Sequence, residues 1–528
     1  MRARNRWGWG FQDAAISTAE ARAAAPGIVQ LMGFGETEPE EPVAAEQVRL
    51  APPRMRAPEH LRGLCDDSTP ERAAHAYGQS YLDTVRALRG EYAHAPDVVA
   101  RPRREREVED VLEWAEAENA AVIPYGGGTS VVGGVEARVP ARFDGVITVD
   151  LSAFDRLHEV DDVSRAARIG AGASGPRLEE QLAQHGMTLR FFPQSFELST
   201  LGGWIATRAA GHFATHLTHV DDLVESVRAI GPAGVWASRR LPGSGAGPSP
   251  DRLLLGSEGI LGLITEAWVR VRPRPVHRAG RAVRFASFAQ GAEAVRALAQ
   301  SELEPANCRL IDALEAAQAG AGDGTTALLT LGFESADHPV DAWLQRGLEI
   351  CAQHGGATDD GVADPGPGGG GDRTLAAWRE AYLRMPYLRD LLVRLGIFTD
   401  TFETAVTWER FPAFHDAVTG AVREALGEPC HVTCRFTHVY PDGPAPYFTV
   451  LAPARRGDEA AQWHEMKDAS GRAILGAGGT ITHHHGVGRD HRPWYDAQRP
   501  DAFAAALRAA KQALDPAGRL NPGVLIDP

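Results

Sequence analysis

Residues 120–134 pass from a short apolar stretch into a glycine triplet and then a glycine pair, Ala-Ala-Val-Ile-Pro-Tyr-Gly-Gly-Gly-Thr-Ser-Val-Val-Gly-Gly. No other feature narrows the fold as sharply. The apolar run at 121–123 reads as a buried strand. From Glu107 onward the spacing of Val108, Val111, Leu112 and Ala115 predicts an amphipathic helix just before it. A strand that ends in consecutive glycines lets several backbone N–H groups converge on an anion without Cβ clashes, the geometry of a phosphate nest. Taken alone, the triplet fits an ordinary turn equally well, and it lacks the G-x-G-x-x-G spacing of a Rossmann site.

The alternation continues downstream. Strands are expected at 145–150, 168–172, 222–230 and 262–271, with a helix at 176–185 that opens on Pro176 and stops before Gly186. Prolines in VRPRPV mark a boundary near 275, and the stretch GVADPGPGGGGDR, 361–373, cannot hold regular structure. A last helix is expected to place Phe503, Leu507, Ala510 and Leu514 on one face and to stop at Asp515-Pro516. Residues 1 to about 75, rich in Pro, Glu and Arg, read as an arm packed on a larger body. With 528 residues, one core cannot serve the whole chain, so two large domains with appended segments are expected.

Charge and cysteines exclude several classes. A formal charge of −15 leaves no general attraction for nucleic acid, and any anionic substrate would need a local arginine cluster. Five scattered cysteines do not make a disulfide framework, which points to a reducing compartment. The first residues lack the apolar run of a secretory signal, and no stretch reaches the roughly 18 apolar residues of a membrane helix. A cytoplasmic protein with at most peripheral membrane contact is expected.

Three segments occur in a telling order: PYGGGTSVVGG, then PQSFELSTLGGWIATRAAG, then LLLGSEGILGLITEAWVRVRP. Together they resemble the FAD domain of the vanillyl-alcohol-oxidase and p-cresol-methylhydroxylase superfamily. The resemblance implies that Pro124, Tyr125, Gly126, Gly127, Gly128, Thr129 and Ser130 hold the diphosphate. It implies that Pro193, Gln194, Ser195, Phe196, Glu197, Leu198 and Ser199, with Thr207, Arg208, Ala209 and Ala210, wrap the cofactor. Glu258, Gly259, Ile260, Leu261, Gly262, Leu263 and Ile264 would line its adenine side. Several relatives attach FAD through a histidine near the glycine loop; this loop has none, so non-covalent FAD is expected. The fold class that follows is α+β: an N-terminal arm and helical segment at 1–96, a two-subdomain FAD-binding domain at 97–275, an α+β substrate (cap) domain at 276–490, and a C-terminal segment at 491–528 returning to the FAD domain.

Further segments, RWGWG, CRLID, PYLRD, DTFET, TCRFTHVY and ITHHHGVG, extend the resemblance to alkylglycerone-phosphate synthases over nearly the whole chain. Those enzymes exchange the acyl chain of acyl-dihydroxyacetone phosphate for a fatty alcohol through a flavin N5 adduct, without net oxidation. The resemblance makes Arg389 and Arg309 substrate-binding residues, and a guanidinium fork suits a phosphate. Without it, pairing with Asp390 and Asp312 would be the plainer reading. It makes Tyr447 a catalytic proton carrier, joined by His483, His484 and His485. Strand alternation over 431–440 places Val432, Cys434 and Phe436 on one face and Thr433, Arg435 and Thr437 on the other, so Cys434 reads as a buried thiol. Whether Tyr447 joins the Arg435 face depends on the register across PDGPAP. In extended chain His483 and His485 would share a side. The three histidines, with Asp490 and His491, could instead hold a divalent metal; the expectation is none.

Two departures qualify the resemblance. Arg489 stands where the synthases commonly have lysine after GVG, and the ending LDPAGRLNPGVL is closer to hydroxy-acid and phenol oxidases. The terminal IDP is no peroxisomal signal of the S-K-L type. The alternatives are a FAD-linked oxidase or dehydrogenase of a hydroxy acid or alcohol, with His485 or Tyr447 as base, and a flavin-binding module without catalysis. The partner expected is a small lipid or hydroxy-acid substrate, and family analogy points to a homodimer.

Overall fold

The computed structural model describes residues 4–358 and 373–527, without the side chains of 373–383. Its first sheet has the order Cys65–Asp66, Val98–Ala100, Gly145–Asp150, Ala120–Tyr125, and the last three strands are parallel. Val98, Val122, Ile147 and Val149 are buried, as parallel strands covered on both faces require. Helix Glu105–Ala117 buries Val108, Val111, Leu112 and Ala115 against this sheet, on the expected face.

A five-stranded antiparallel sheet follows, ordered Leu157–Asp161, Ala166–Gly170, Leu263–Arg270, Val224–Gly231, Gly234–Ala237. Two expected strands move. The one placed at 168–172 begins two residues earlier. The one placed at 222–230 is preceded by a 3-10 turn, Val220–Asp222, whose two acids favour a turn over a ladder. The helix over 176–185 is Gly175–Ala183.

The third sheet has seven strands, with the long hairpin His431–Val439 and Pro444–Pro453 beside Ile397–Glu403 at one edge. Its two faces divide as strand alternation demands. Val432, Cys434, Phe436 and Phe448 enter the largest hydrophobic cluster, under helices Phe288–Ala299 and Phe411–Leu426. Each buried phenylalanine contributes roughly 1.5–3 kcal/mol. Burial in that cluster raises the Cys434 thiol well above its ordinary range, so it is inert packing. The opposite face carries Thr433, Arg435 and Thr437 toward a cavity.

The chain's last segment returns to the first sheet. Leu520 bridges Val122 in parallel, and the buried Lys511 ammonium donates to the carbonyls of Ile260 and Leu520, both at 2.7 Å, and to Asp515 at 2.6 Å. That ion pair shifts the inward face of helix Asp501–Leu514 to Ala504, Leu507 and Lys511, and leaves Phe503 half exposed, contrary to the apolar spacing. The glycine-rich stretch falls at 361–372, outside the described residues. The N-terminal arm contains helix Thr18–Met32, begun by a Ser17–Glu20 capping box, and packs on Leu391, Leu392 and Ile397.

Candidate active site

A cavity of about 850 Å³ lies between the glycine corner and the seven-stranded sheet. Every residue from Pro124 to Ser130 lines it. The corner is packed too tightly for side chains. A Cβ on Gly127 would sit 2.1 Å from the Leu198 carbonyl oxygen, and one on Gly126 would sit 2.4 Å from Thr200 Oγ1. Gly128 has φ +63, the left-handed region open to glycine. The first two sequence segments therefore meet here.

Not every residue expected at the cofactor reaches the cavity. Pro193, Gln194, Ser195, Ser199, Thr207, Ala209 and Ala210 line it. Leu198 is buried, Phe196 stacks edge-on against Phe192, and Glu197 accepts a hydrogen bond from Tyr387 at 2.8 Å. Arg208 turns away to Asp221 at 2.7 Å. From the third segment Glu258, Gly259, Gly262 and Ile264 line the cavity, whereas Ile260, Leu261 and Leu263 are core residues.

Sheet register assembles the other wall. Tyr447 pairs across the strands with Arg435 on one side and Glu403 on the other, so all three share a face. Arg435 lies over the Tyr447 ring at 3.9 Å and forms a buried ion pair with Glu315. Arg309 and Arg389 also line the cavity. Arg389 Nη2 stands 3.2 Å from Gln79 Oε1 and 3.6 Å from Asp390, and Asp390 in turn accepts the Trp9 N–H at 2.5 Å. Asp312 instead caps helix Ala313–Gln318, accepting the Glu315 N–H at 2.7 Å. The arm supplies Trp9, Ile16 and Met32 to the same cavity, which gives residues 1–75 a place in the site.

The histidine tract is not a strand, and the expected alternation fails. His484 and His485 line the cavity while His483 does not. The cause is Glu403, fully buried, which accepts the backbone N–H of His483, of His484 at 3.1 Å and of His485 at 2.8 Å, and the Thr482 hydroxyl at 2.6 Å. Three successive N–H groups turned to one carboxylate force a curled backbone. Burial alone would raise this carboxyl, but the neighbouring His485 and His483, the Thr482 hydroxyl and the backbone donors outweigh it and hold it at about 2. Glu258 clamps the next turn, accepting Val487 N–H at 2.7 Å and Gly488 N–H at 2.8 Å; burial pushes it up to about 7.

Burial, with other imidazoles and Arg435 nearby, keeps His484 well below its usual value, so at neutral pH it is an uncharged base. His438, missed as a site residue, also reaches the cavity because a register shift after Phe436 rotates the strand. Ring nitrogens of His438, His483 and His484 lie within 4.8 Å of one another. Those of His483 are engaged in contacts with His484, His219 and Tyr440.

The cavity fits a flavin dinucleotide. It offers the glycine corner, the hydroxyls of Thr129, Ser130, Ser195 and Thr200, and buried polar atoms, Asn521 Oδ1 and His485 Nδ1, that lack hydrogen-bond partners among the described residues. Residues 96–238 match the FAD binding domain and 274–525 the FAD linked oxidases, C-terminal domain. The fold is that of p-cresol methylhydroxylase, whose substrate-bound structure superposes with TM-score 0.69 at 14% identity, covering 88% of this chain and 94% of that one. The protein is thus a FAD-linked enzyme with the p-cresol-methylhydroxylase fold. A solved alkyldihydroxyacetonephosphate synthase superposes with TM-score 0.82 at 24% identity over 98% of this chain and 97% of that one. The synthase of Caenorhabditis elegans is 30% identical over 86% of this chain and 80% of its own length, and that of Dictyostelium discoideum 29% over 91% and 82%. The chain belongs to the alkyldihydroxyacetonephosphate synthase family.

Among the described residues, no helix is long and apolar enough to cross a membrane.

Proposed function

We propose that this enzyme exchanges the acyl chain of acyl-dihydroxyacetone phosphate for a fatty alcohol, releasing a fatty acid and forming an ether. The observation that carries the reading is one cavity wall holding Arg309, Arg389, Arg435, Tyr447, His484 and His485 opposite the glycine corner. FAD, when bound in this cavity, would supply an electrophilic centre for the exchange. The residues do the rest. Arg389 and Arg309 present guanidinium forks to the phosphate. The Tyr447 hydroxyl carries a proton at the reacting carbon, with Arg435 stacked over its ring to hold it in place. His484, neutral, accepts the proton of the incoming alcohol. Apolar Ile16, Met32, Leu392 and Leu451 line space suited to alkyl chains.

We further propose that FAD is held non-covalently, since the loop from Pro124 to Gly134 contains no histidine or cysteine. Five unpaired cysteines fit a reducing cytoplasm. The C-terminal oxidase-type match favours one second reading, hydride transfer from a hydroxy acid or alcohol.

Anaerobic titration of the yellow protein with palmitoyl-dihydroxyacetone phosphate, then hexadecanol, followed by lipid chromatography, tests both. An alkyl ether product without net flavin reduction is the expected result. No ether, with flavin bleached by a hydroxy acid, would replace the transferase by the dehydrogenase. Acid precipitation that leaves the flavin on the protein would refute non-covalent binding.

A further inference from the structure

Behind the cavity wall, hydrogen bonds continue from His484 toward the surface. His484 Nδ1 stands 2.9 Å from His483 Nδ1, and His483 Nε2 stands 3.1 Å from His219 Nε2. The chain ends where His219 Nδ1 meets the Arg208 carbonyl at 3.0 Å. His483 is cut off from the cavity, whereas His219 is half-buried and the Arg208 side chain beside it is 56% exposed.

Hydrogen positions follow from one fixed point. A carbonyl only accepts, so His219 carries its proton on Nδ1. Neutral His219 then accepts at Nε2 from His483 Nε2–H. Neutral His483 in turn accepts at Nδ1 from His484 Nδ1–H. The Glu403 carboxylate, 3.5 Å from His484 Nδ1, favours a proton on that atom. The lone pair left over is His484 Nε2, on a ring that lines the cavity. Tyr440, whose hydroxyl is 2.7 Å from His483 Nε2 and 3.0 Å from Thr218 Oγ1, can accept the same N–H and holds the middle ring in place.

We propose that His484, His483 and His219 form a three-imidazole proton wire between the cavity and the half-exposed edge at Arg208, with His219 its outer, positioning residue. A proton taken at His484 Nε2 releases the Nδ1 proton to His483. His483 passes its Nε2 proton to His219, and His219 gives up its Nδ1 proton to a water that takes the place of the Arg208 carbonyl at that half-exposed edge. Each ring gains one proton and loses one, so charge does not accumulate in the buried tract. The need for a wire rests on the exchange proposed above. The alcohol oxygen forms a new bond to C1 of the dihydroxyacetone unit and loses its proton, while the bond from C1 to the ester oxygen breaks and the fatty acid departs as carboxylate, so one proton per turnover must reach solvent.

The test compares His219→Gln, which keeps a hydrogen-bonding side chain but cannot relay, with His219→Ala, which opens a slot reachable from solvent. Both are expected to keep bound flavin and the thermal midpoint, and to lose turnover by about 10²-fold, the lower range for a lost acid–base path. KM should change little. Added imidazole should restore His219→Ala and not His219→Gln. Neutron diffraction of the wild-type protein should place protons on His219 Nδ1, His483 Nε2 and His484 Nδ1. Turnover within about two-fold of wild type, a loss that imidazole does not restore, a different proton pattern, or stoichiometric zinc on these nitrogens would overturn the wire. If wild type makes no ether but is bleached by a hydroxy acid, the exchange reading fails alone. The bleaching rate of the same variants then tests the wire.

Discussion

Glu403→Gln isolates the residue that curls the histidine tract. The carboxylate serves four donors in a fully buried site, and an amide oxygen can keep about half of them while its NH₂ faces N–H groups that cannot accept. Two lost hydrogen bonds to a charged acceptor cost roughly 3–6 kcal/mol. The carboxyl is also held below its ordinary range in the fold. Because the folded value is depressed, this stability is present above the unfolded value and is lost as pH falls through about 2. Thermal unfolding at pH 7 should therefore show a midpoint lower by about 6–12 °C for a domain of this size, and the gap from wild type should shrink as pH falls from about 4.5. Displacing His484 and His485 by about 1 Å should lower turnover by about 10²-fold, with flavin retained because the glycine corner is untouched. A midpoint within about 2 °C of wild type, together with turnover within about two-fold, would refute the argument.

Gly127→Ala should yield colourless protein on purification, because the new Cβ meets the Leu198 backbone at 2.1 Å and the corner must open; full flavin absorbance would count against it. Arg435→Met leaves Glu315 buried without its partner and should destabilise by about 3–5 kcal/mol, read from denaturant unfolding; the double variant with Glu315→Leu should recover much of that loss. Tyr447→Phe should keep the flavin spectrum and the thermal midpoint but lower ether formation by about 10²–10⁴-fold; unchanged turnover would remove Tyr447 from the chemistry.

The glycine corner was legible because its requirement is local. Several N–H groups can converge only where no Cβ stands, and that signature is written in consecutive residues. The helix over Glu105–Ala117 and the two faces of His431–Val439 were equally readable, since periods of 3.6 and 2 belong to the chain itself. Arg309, Arg389, Tyr447, His484 and His485 were named from motifs, and all five line one cavity. The tract's curl was not readable, because it depends on Glu403, about 80 positions away. Nor was Glu258 as a clamp on Val487 and Gly488, because its partner is 229 positions distant. His219 carries no local signal, since a single histidine outside a motif gives no reason to choose it, and His438, though inside TCRFTHVY, reaches the cavity only through the register shift after Phe436.

The sequence by itself determined several of the elements, the glycine corner and the family, since each rests on neighbouring residues in fixed order. Tertiary structure alone decided which face Tyr447 presents, that Arg435 covers its ring, that His483 is withdrawn from the cavity, and that the N-terminal arm closes one side of it. The physical reason is register and burial. A one-residue slip between strands reverses every side chain, and a buried carboxylate takes its donors from wherever the fold brings them.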